Sequence, residues 1–461
     1  MIITKLDVDI ASEKSESIKA VVYLTDFQFM DKICNRVRII KKFSLINAVG
    51  IEGSKDEILT LTYLPYVKYV SSITKVYSID NIEEISSKKL LNNNKCGAFD
   101  KPYDKSEKMI LSNKNKKTVK LGEKIIKENE KCRITESENN HIIDSGTFGN
   151  DCACQNIESE KEQEFGYESK ELKESDISDI GANFSENAKN KYTYIMNNFY
   201  NLNGYSGKGM GVAIIDTGVS RHLDLCSISD RIILQHDVEN NETFPYDDNG
   251  HGTFVAGVIS GNGICSGKKI MGVCPNANVI SVKIMNEKGE SDIFKALSGM
   301  EWVSENYEKY NIKVVVMSFG AVPKTVNDPL VKGVEALTEK GIIVVCASGN
   351  SGLNTYMSPA VSSKVISVGA VGENNDVADF TSRGTYEGES YPYVYARGVK
   401  VAGLSSNGLY VSMSGTSVAC PIVAGFCLLL KEKFPTLSPE QIKQTILQYS
   451  KFKDNFYVLD I

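Results

Sequence analysis

No stretch of this chain is apolar for long enough to cross a membrane. A secretory leader is not expected either. The opening MIITKLDVDIASEKSE breaks its one apolar stretch with acidic residues, where a leader needs a basic start and an unbroken apolar core. The expectation is a cytoplasmic protein, or one exported by a route the sequence does not display, with no membrane partner. Excess charge of one sign is lacking too: a net charge of −6 gives no reason to expect nucleic acid as a partner. Histidine is scarce, at four residues, so an isolated one reads as structural unless its neighbours say otherwise. The eleven cysteines are odd in number and scattered, and Cys346, Cys420 and Cys427 sit inside apolar runs. They read as small buried hydrophobes in a reducing compartment, not as a disulfide framework. Cys152 and Cys154 lie in a polar stretch without a second pair or a histidine at ligand spacing, which is too little for a metal site. No cofactor is expected.

What is present is enough for two or three folded units, since 461 residues exceed one ordinary domain and 42% of them are hydrophobic. Three regions separate by composition. Residues 1–79 contain strand-like runs at Ile18 to Leu24, in FSLINAVGIEG and in YVKYVSSI, a basic-apolar segment from Val37 to Phe43, and a helix-like stretch from Lys55 to Leu64. Two helices on a small antiparallel sheet account for this pattern, and a unit of that size is marginal without a partner surface. Residues 80–182 are dominated by Lys, Glu, Asn and Ser, in blocks such as NNNK and SNKNKK. Such a segment buries too little apolar surface to offset its ordering entropy and reads as a disordered linker, with a docking site for another protein as the alternative.

Residues 183–461 alternate short apolar runs (Val212 to Ile215, Val279 to Ile284, Val314 to Met317, Ile342 to Cys346, Val365 to Val368) with helical stretches. The helical stretches are His251 to Ser260, Ser291 to Tyr307, Pro329 to Glu339 and Ser417 to Lys433. Nearly continuous apolar strands separated by helices indicate an α/β fold: a mostly parallel sheet covered on both faces, a three-layer domain, preceded by the small α+β unit. In such sheets the site lies at the carboxyl ends of the strands.

Four residues fall where that rule looks for chemistry. Asp216 ends the strand run VAIID. His251 opens a helix in NGHGTFVAG, with glycines on both sides that leave the imidazole open to close approach. Ser417 lies in MSGTSVACP, where a serine runs into an apolar helix beside backbone N–H groups and the positive end of the dipole. Asn350 follows a strand in CASGN. Singly each has an ordinary explanation, a helix cap for the serine, a turn residue for the aspartate; the order and the flanks together do not.

The order Asp, His, Ser with IIDTGV, HGTFVAG, ASGN and SGTSVACP resembles the subtilisin family of serine peptidases. The stretches MGVCPNANVISVKIM, GMEWVSENYEKYNIKVVVMSFG and SPAVSSKVISVGAV resemble its cytosolic alkaline-protease branch, and the likeness runs over nearly all of residues 200 to 445. More faintly, FSLINAVGIEG and LPYVKYVSSI are similar to the family's inhibitory propeptide. The resemblance implies a serine endopeptidase acting on protein or peptide substrates through an acyl-enzyme. Ser417 would be its nucleophile, His251 its general base and acid, Asp216 the orienting carboxylate and Asn350 an oxyanion donor. It implies substrate-binding edges at Gly289, Glu290 and Ser291, at Ser318, Phe319 and Gly320, and at Ala347, Ser348 and Gly349. It also implies that the N-terminal unit is a pro-domain, an intramolecular inhibitor released when the linker is cut.

Departures from the family pattern bear on specificity. Phe254 stands where a second histidine is usual, and Val418 and Cys420 follow the nucleophile in place of Met and Ser, which raises the question of thiol sensitivity. Met357 falls where the primary pocket often has a glycine floor, and a bulky floor favours small side chains at the cleaved residue. Glu290 and Asp292 could select basic residues upstream of the cut, against the plainer reading of a solvated acidic loop. The loop after the histidine helix, GNGICSGKKIMG, carries two lysines and no carboxylate, so no strong calcium site is expected there.

Three other readings explain less. Asp216-Thr217-Gly218 and Asp144-Ser145-Gly146 match the short signature of aspartic peptidases, but the second copy lies in the polar linker and His251 and Ser417 are left without a role. A nucleophile elbow of the α/β-hydrolase type needs a glycine where Ala419 stands. A permanently inhibited binding protein would keep its N-terminal unit in the cleft, although all four site residues are intact.

Overall fold

The computed structural model describes residues 10, 15, 17–34, 36–78, 202, 204–323 and 327–460, together with the backbone of 81–83. They belong to one compact unit built from residues 1–96 and 172–461. Apart from 81–83, the linker expected over 80–182 lies outside the described residues, as do Cys152, Cys154 and the Asp144-Ser145-Gly146 copy.

Four strands of the N-terminal region, β1 (Ile18–Leu24), β2 (Arg38–Phe43), β3 (Ala48–Gly53) and β4 (Val67–Ser72), form an antiparallel sheet in the order β2-β3-β1-β4. Its described α-helix is α1 (Lys55–Leu61), whose start is fixed by a capping box: the Ser54 hydroxyl accepts from the Glu57 amide and Glu57 reaches back to the Ser54 amide. A 3-10 segment spans Phe27–Lys32. In FSLINAVGIEG, Phe43 ends β2 and strand resumes only at Ala48. Ser44–Ile46 form a 3-10 turn closed by Asn47 at φ 50°, because Leu45 and Ile46 are drawn into packing against the C-terminal domain.

Alternation along β1 explains why this sheet has two cores. Ala20, Val22 and Leu24 face the region's own cluster with Ile58, Leu61 and Val70. Val21 and Tyr23 face the other way, into a cluster they share with Ile293, Leu297 and Leu330 of the C-terminal domain. Two further short strands leave the N-terminal region: β5 (Lys75–Ser78) and β6 (Asn81–Glu83).

The C-terminal domain is built on a nine-stranded sheet. Its strands are β7 (Gly211–Asp216), β8 (Ile232–Asp237), β9 (Asn278–Lys283), β11 (Ile312–Met317), β13 (Ile343–Ala347), β14 (Ile366–Val371), β17 (Val394–Arg397), β20 (Lys451–Lys453) and β21 (Phe456–Leu459). The order is β20-β21-β17-β14-β13-β11-β7-β9-β8, parallel throughout except for the edge pair β20–β21. Short strands outside it are β10 (Glu290–Asp292), β12 (Phe319–Gly320), the hairpin β15 (Gly384–Tyr386) and β16 (Glu389–Tyr391), and the hairpin β18 (Val401–Leu404) and β19 (Tyr410–Ser414). Helices α2 (His251–Ser260), α3 (Ile293–Asn306), α4 (Pro329–Glu339), α5 (Thr416–Lys433) and α6 (Pro439–Gln448) cover it.

The apolar strands are continuous because both faces are buried. Val212, Ile214, Val314 and Val316 pack with Val255 of α2 and Val423 of α5. Their neighbours Ala213, Ile215, Val315 and Met317 pack with Leu297 of α3 and Val334 of α4. From β9 the chain crosses over β7 to reach β11, so the carboxyl end of β7, where Asp216 sits, is a switch point of the sheet.

Candidate active site

Asp216 and His251 meet at that switch point. His251 Nδ1 lies 2.7 Å from Asp216 Oδ1, which also accepts from the Thr217 amide at 2.7 Å. With a carboxylate as its partner, Nδ1 carries the ring proton, and Nε2 is the basic nitrogen. Helix α2 begins at the histidine because Gly250, at φ 107°, turns the chain in left-handed geometry, and the Asn249 side chain accepts from the His251 amide at 3.1 Å. Gly252 permits the approach: a Cβ there would fall 2.1 Å from the Gly218 carbonyl oxygen.

Ser417 lies in the first turn of α5. Pro421, inside that helix, has no amide to donate to the Ser417 carbonyl four residues back. The Ser318 hydroxyl supplies the missing hydrogen bond to that carbonyl at 3.0 Å. The kink-prone proline thus ties the serine's backbone to the segment bearing Ser318, Phe319 and Gly320. Asn350 is oriented from the same turn, its Oδ1 accepting from the Thr416 amide at 2.9 Å and the Thr416 hydroxyl at 3.0 Å. With the oxygen so held, the amide nitrogen is turned to the opposite side. Asp216, His251 and Ser417 are all buried, none more than 1% exposed.

Two of the expected substrate edges are paired with the chain's own β5. β5 pairs antiparallel with β10 on one side, Ser291 opposite Val76, and with β12 on the other, Phe319 opposite Ser78. The Ser78 amide donates to the Gly289 carbonyl at 2.9 Å. Val76 is fully buried in the cluster with Phe319 and Ile293. β6 then pairs antiparallel with β19, Asn81 opposite Ser414, three residues before Ser417. The N-terminal sheet is anchored close by: the Ser44 amide and hydroxyl donate to Glu301 Oε1 at 2.7 and 2.6 Å, and Phe43 packs on Phe294 at 5.7 Å between ring centroids.

Ala347 ends β13, and Ser348, Gly349 and Asn350 continue from it. Met357 packs between the two walls, since a Cβ on Gly349 would come within 2.4 Å of its Cγ and one on Gly320 within 3.1 Å of its Cβ. Asp292 proves to be a helix cap, accepting from the Lys295 amide at 3.0 Å at the start of α3. Its carboxylate is thereby committed to that amide, which favours the plainer reading of this acidic loop. Phe254 is fully buried and its ring abuts Gly403. Burial pushes the Cys420 thiol well up from its ordinary range, which favours the protonated thiol over the thiolate. The residues not legible beforehand are the hydrogen-bonding partners of the site: Thr217, Asp247, Thr253 and Thr416 look like loop and cap residues in the sequence.

The subtilase family model matches residues 207–457, a little over half of the chain. The chain belongs to the subtilase family. Serine protease AprX of Bacillus subtilis (strain 168) is 38% identical over 281 residues, covering 54% of this subtilase and 63% of AprX. The chain thus spans less than two thirds of that relative. Subtilisin DY of Bacillus licheniformis is 35% identical over 260 residues, covering 55% of this chain and 88% of its own. A solved structure, a cold adapted subtilisin-like serine proteinase, aligns with a TM-score of 0.49 at 27% identity over 56% of this chain and 90% of its own.

Proposed function

We propose that this subtilase is a serine endopeptidase made as a self-inhibited zymogen, with Asp216, His251 and Ser417 as its triad. The observation that carries the catalytic part is the 2.7 Å contact between His251 Nδ1 and the Asp216 carboxylate at the end of β7, beside the turn that holds Asn350 and Ser417. On this reading Ser417 Oγ attacks the scissile carbonyl and His251 Nε2 takes its proton. Asp216 fixes the tautomer and stabilises the imidazolium. The Asn350 amide and the Ser417 backbone N–H receive the oxyanion. His251 then returns the proton to the leaving amine, and water releases the acyl group by the same steps in reverse.

The paired strands support the zymogen part. β5 adds a middle strand between β10 and β12, the way an extended peptide binds a sheet edge, and β6 continues along β19. The substrate backbone would take the place of β5, with Gly289, Glu290 and Ser291 on one side and Ser318, Phe319 and Gly320 on the other. Met357, with Ala347, Ser348 and Gly349, would limit the primary pocket to small side chains. β5 lies between β10 and β12 and β6 lies along β19, so the first self-cleavage is placed between these two strands, at the start of the expected linker. Incubation with a mixed peptide library, followed by N-terminal sequencing of the product chain, tests both parts. The wild type should cut peptides and acquire a new terminus within residues 79–81, and Ser417→Ala should do neither. Cutting of peptides by Ser417→Ala would overturn the catalytic assignment; a self-cut found only beyond β6, within residues 84–182, would overturn the register.

A further inference from the structure

A second carboxylate, Asp247, ties together the two loops that carry Asp216 and His251. It is 7% exposed and accepts five hydrogen bonds. Its Oδ1 takes the Thr217 hydroxyl at 2.9 Å and the amides of Asn249 and Gly250 at 3.1 and 2.8 Å. Its Oδ2 takes the Thr253 amide at 2.9 Å and the Thr253 hydroxyl at 2.7 Å. Thr217 directly follows Asp216; Asn249, Gly250 and Thr253 bracket His251. The Thr217 hydroxyl also accepts from the Gly252 amide at 2.9 Å, and Asp247 bridges to Gly218 through the backbone. Thr253 in turn accepts from the Ser220 amide at 2.9 Å. The Thr217 and Gly218 links join the loop after β7 to the turn before α2, and the bonds from Asn249, Gly250 and Thr253 tie that turn to the start of α2.

We propose that Asp247 is a positioning residue for catalysis, setting the Asp216–His251 geometry through Thr217 and the start of α2. This rests on the triad reading above. Only a carboxylate meets the demand, because backbone amides approach both of its oxygens. An asparagine in either orientation would aim its NH2 group at an amide N–H, so one loop or the other must move. The hydroxyls of Thr217 and Thr253 could rotate to adapt; the amides cannot. Asp247 makes none of its hydrogen bonds to β10 or β12, so the change acts on proton transfer and leaves substrate binding alone.

The test is steady-state kinetics of Asp247→Asn, Thr217→Val and Thr217→Ser in the matured enzyme, with each rate divided by the concentration of titrated serine. An active wild type is the control for the triad reading: if it is inactive, that reading falls and not the positioning role alone. With an active wild type, Asp247→Asn should lose roughly 10²-fold in kcat at unchanged KM, as expected for a small misplacement of reacting groups. Thr217→Val should lose part of that, and Thr217→Ser, which keeps the hydroxyl, should restore wild-type kcat. Wild-type kcat per active site in Asp247→Asn would overturn the proposal, even with a lowered Tm. Should Asp247→Asn fail to fold, the threonine pair decides alone, and equal kcat for valine and serine would overturn it.

Discussion

The two large sheets of this chain are covered in different ways. In the C-terminal domain, α2 and α5 bury one face and α3 and α4 the other, all supplied by the same domain. In the N-terminal region, residues of its own bury one face, and the second face lies in a cluster owned mostly by α3, α4 and the strands beneath them. A four-stranded unit whose second face needs another domain is marginal alone. The contrast separates a sheet with both faces covered by helices of its own region from one with its second face buried only against another region. It also shows why β5 and β6 belong to neither sheet: their hydrogen bonds go to β10, β12 and β19, around the proposed nucleophile.

The sharpest way to separate the two regions is to remove chemistry without touching the docking. His251→Ala should lose on the order of 10⁶ in kcat, the magnitude carried over from subtilisin, with the N-terminal sheet still bound by limited proteolysis. A much smaller loss would detach the histidine from the chemistry. Asn350→Ala removes one oxyanion donor and should cost roughly 10²–10³ in kcat with KM little changed, again as in subtilisin. A rise in KM alone would make Asn350 a substrate contact. Glu301→Ala acts on the docking side only. Loss of the charged acceptor for the Ser44 amide and hydroxyl, worth about 1.5–3 kcal/mol, should speed the appearance of activity in the full chain roughly 10- to 10²-fold. The matured enzyme's kcat should not move, and an unchanged activation time course would mean that the Ser44 contact does not hold the zymogen. The smallest expected change is at the pocket floor, where Met357→Gly should raise kcat/KM for substrates with a large cleaved residue about 10-fold. An unchanged peptide profile would place the size limit elsewhere.

Much of the C-terminal domain was readable in advance, since strands buried on both faces leave unbroken apolar runs. His251–Ser260 and Pro329–Glu339 begin and end where their caps and glycines say they should. The four candidate site residues stand out for a related reason: each lies at a strand end or helix start, where the local pattern changes. Less was readable where partners lie far away in sequence. Ser44–Ile46 look like strand and form a turn, because Glu301, 257 residues on, caps them. Lys75–Ser78 gain their pairing from Glu290–Asp292 and Phe319–Gly320, more than two hundred residues on. Asp292 could pass for a specificity charge until its bond to the Lys295 amide is seen. Asp247 sits in a polar loop, YDDNGHG, where nothing distinguishes it from Asp248, which pairs instead with Lys283 at 2.7 Å.

The central claim is an activated Ser417 lying beneath the chain's own N-terminal strands. Labelling with a fluorophosphonate probe, on wild type and Ser417→Ala with intact mass recorded before and after, tests it most directly. The account predicts that the full-length wild type labels slowly, that label appears rapidly once the mass of the N-terminal region is lost, and that Ser417→Ala never labels. Absence of label from a wild type already freed of its N-terminal region would contradict it.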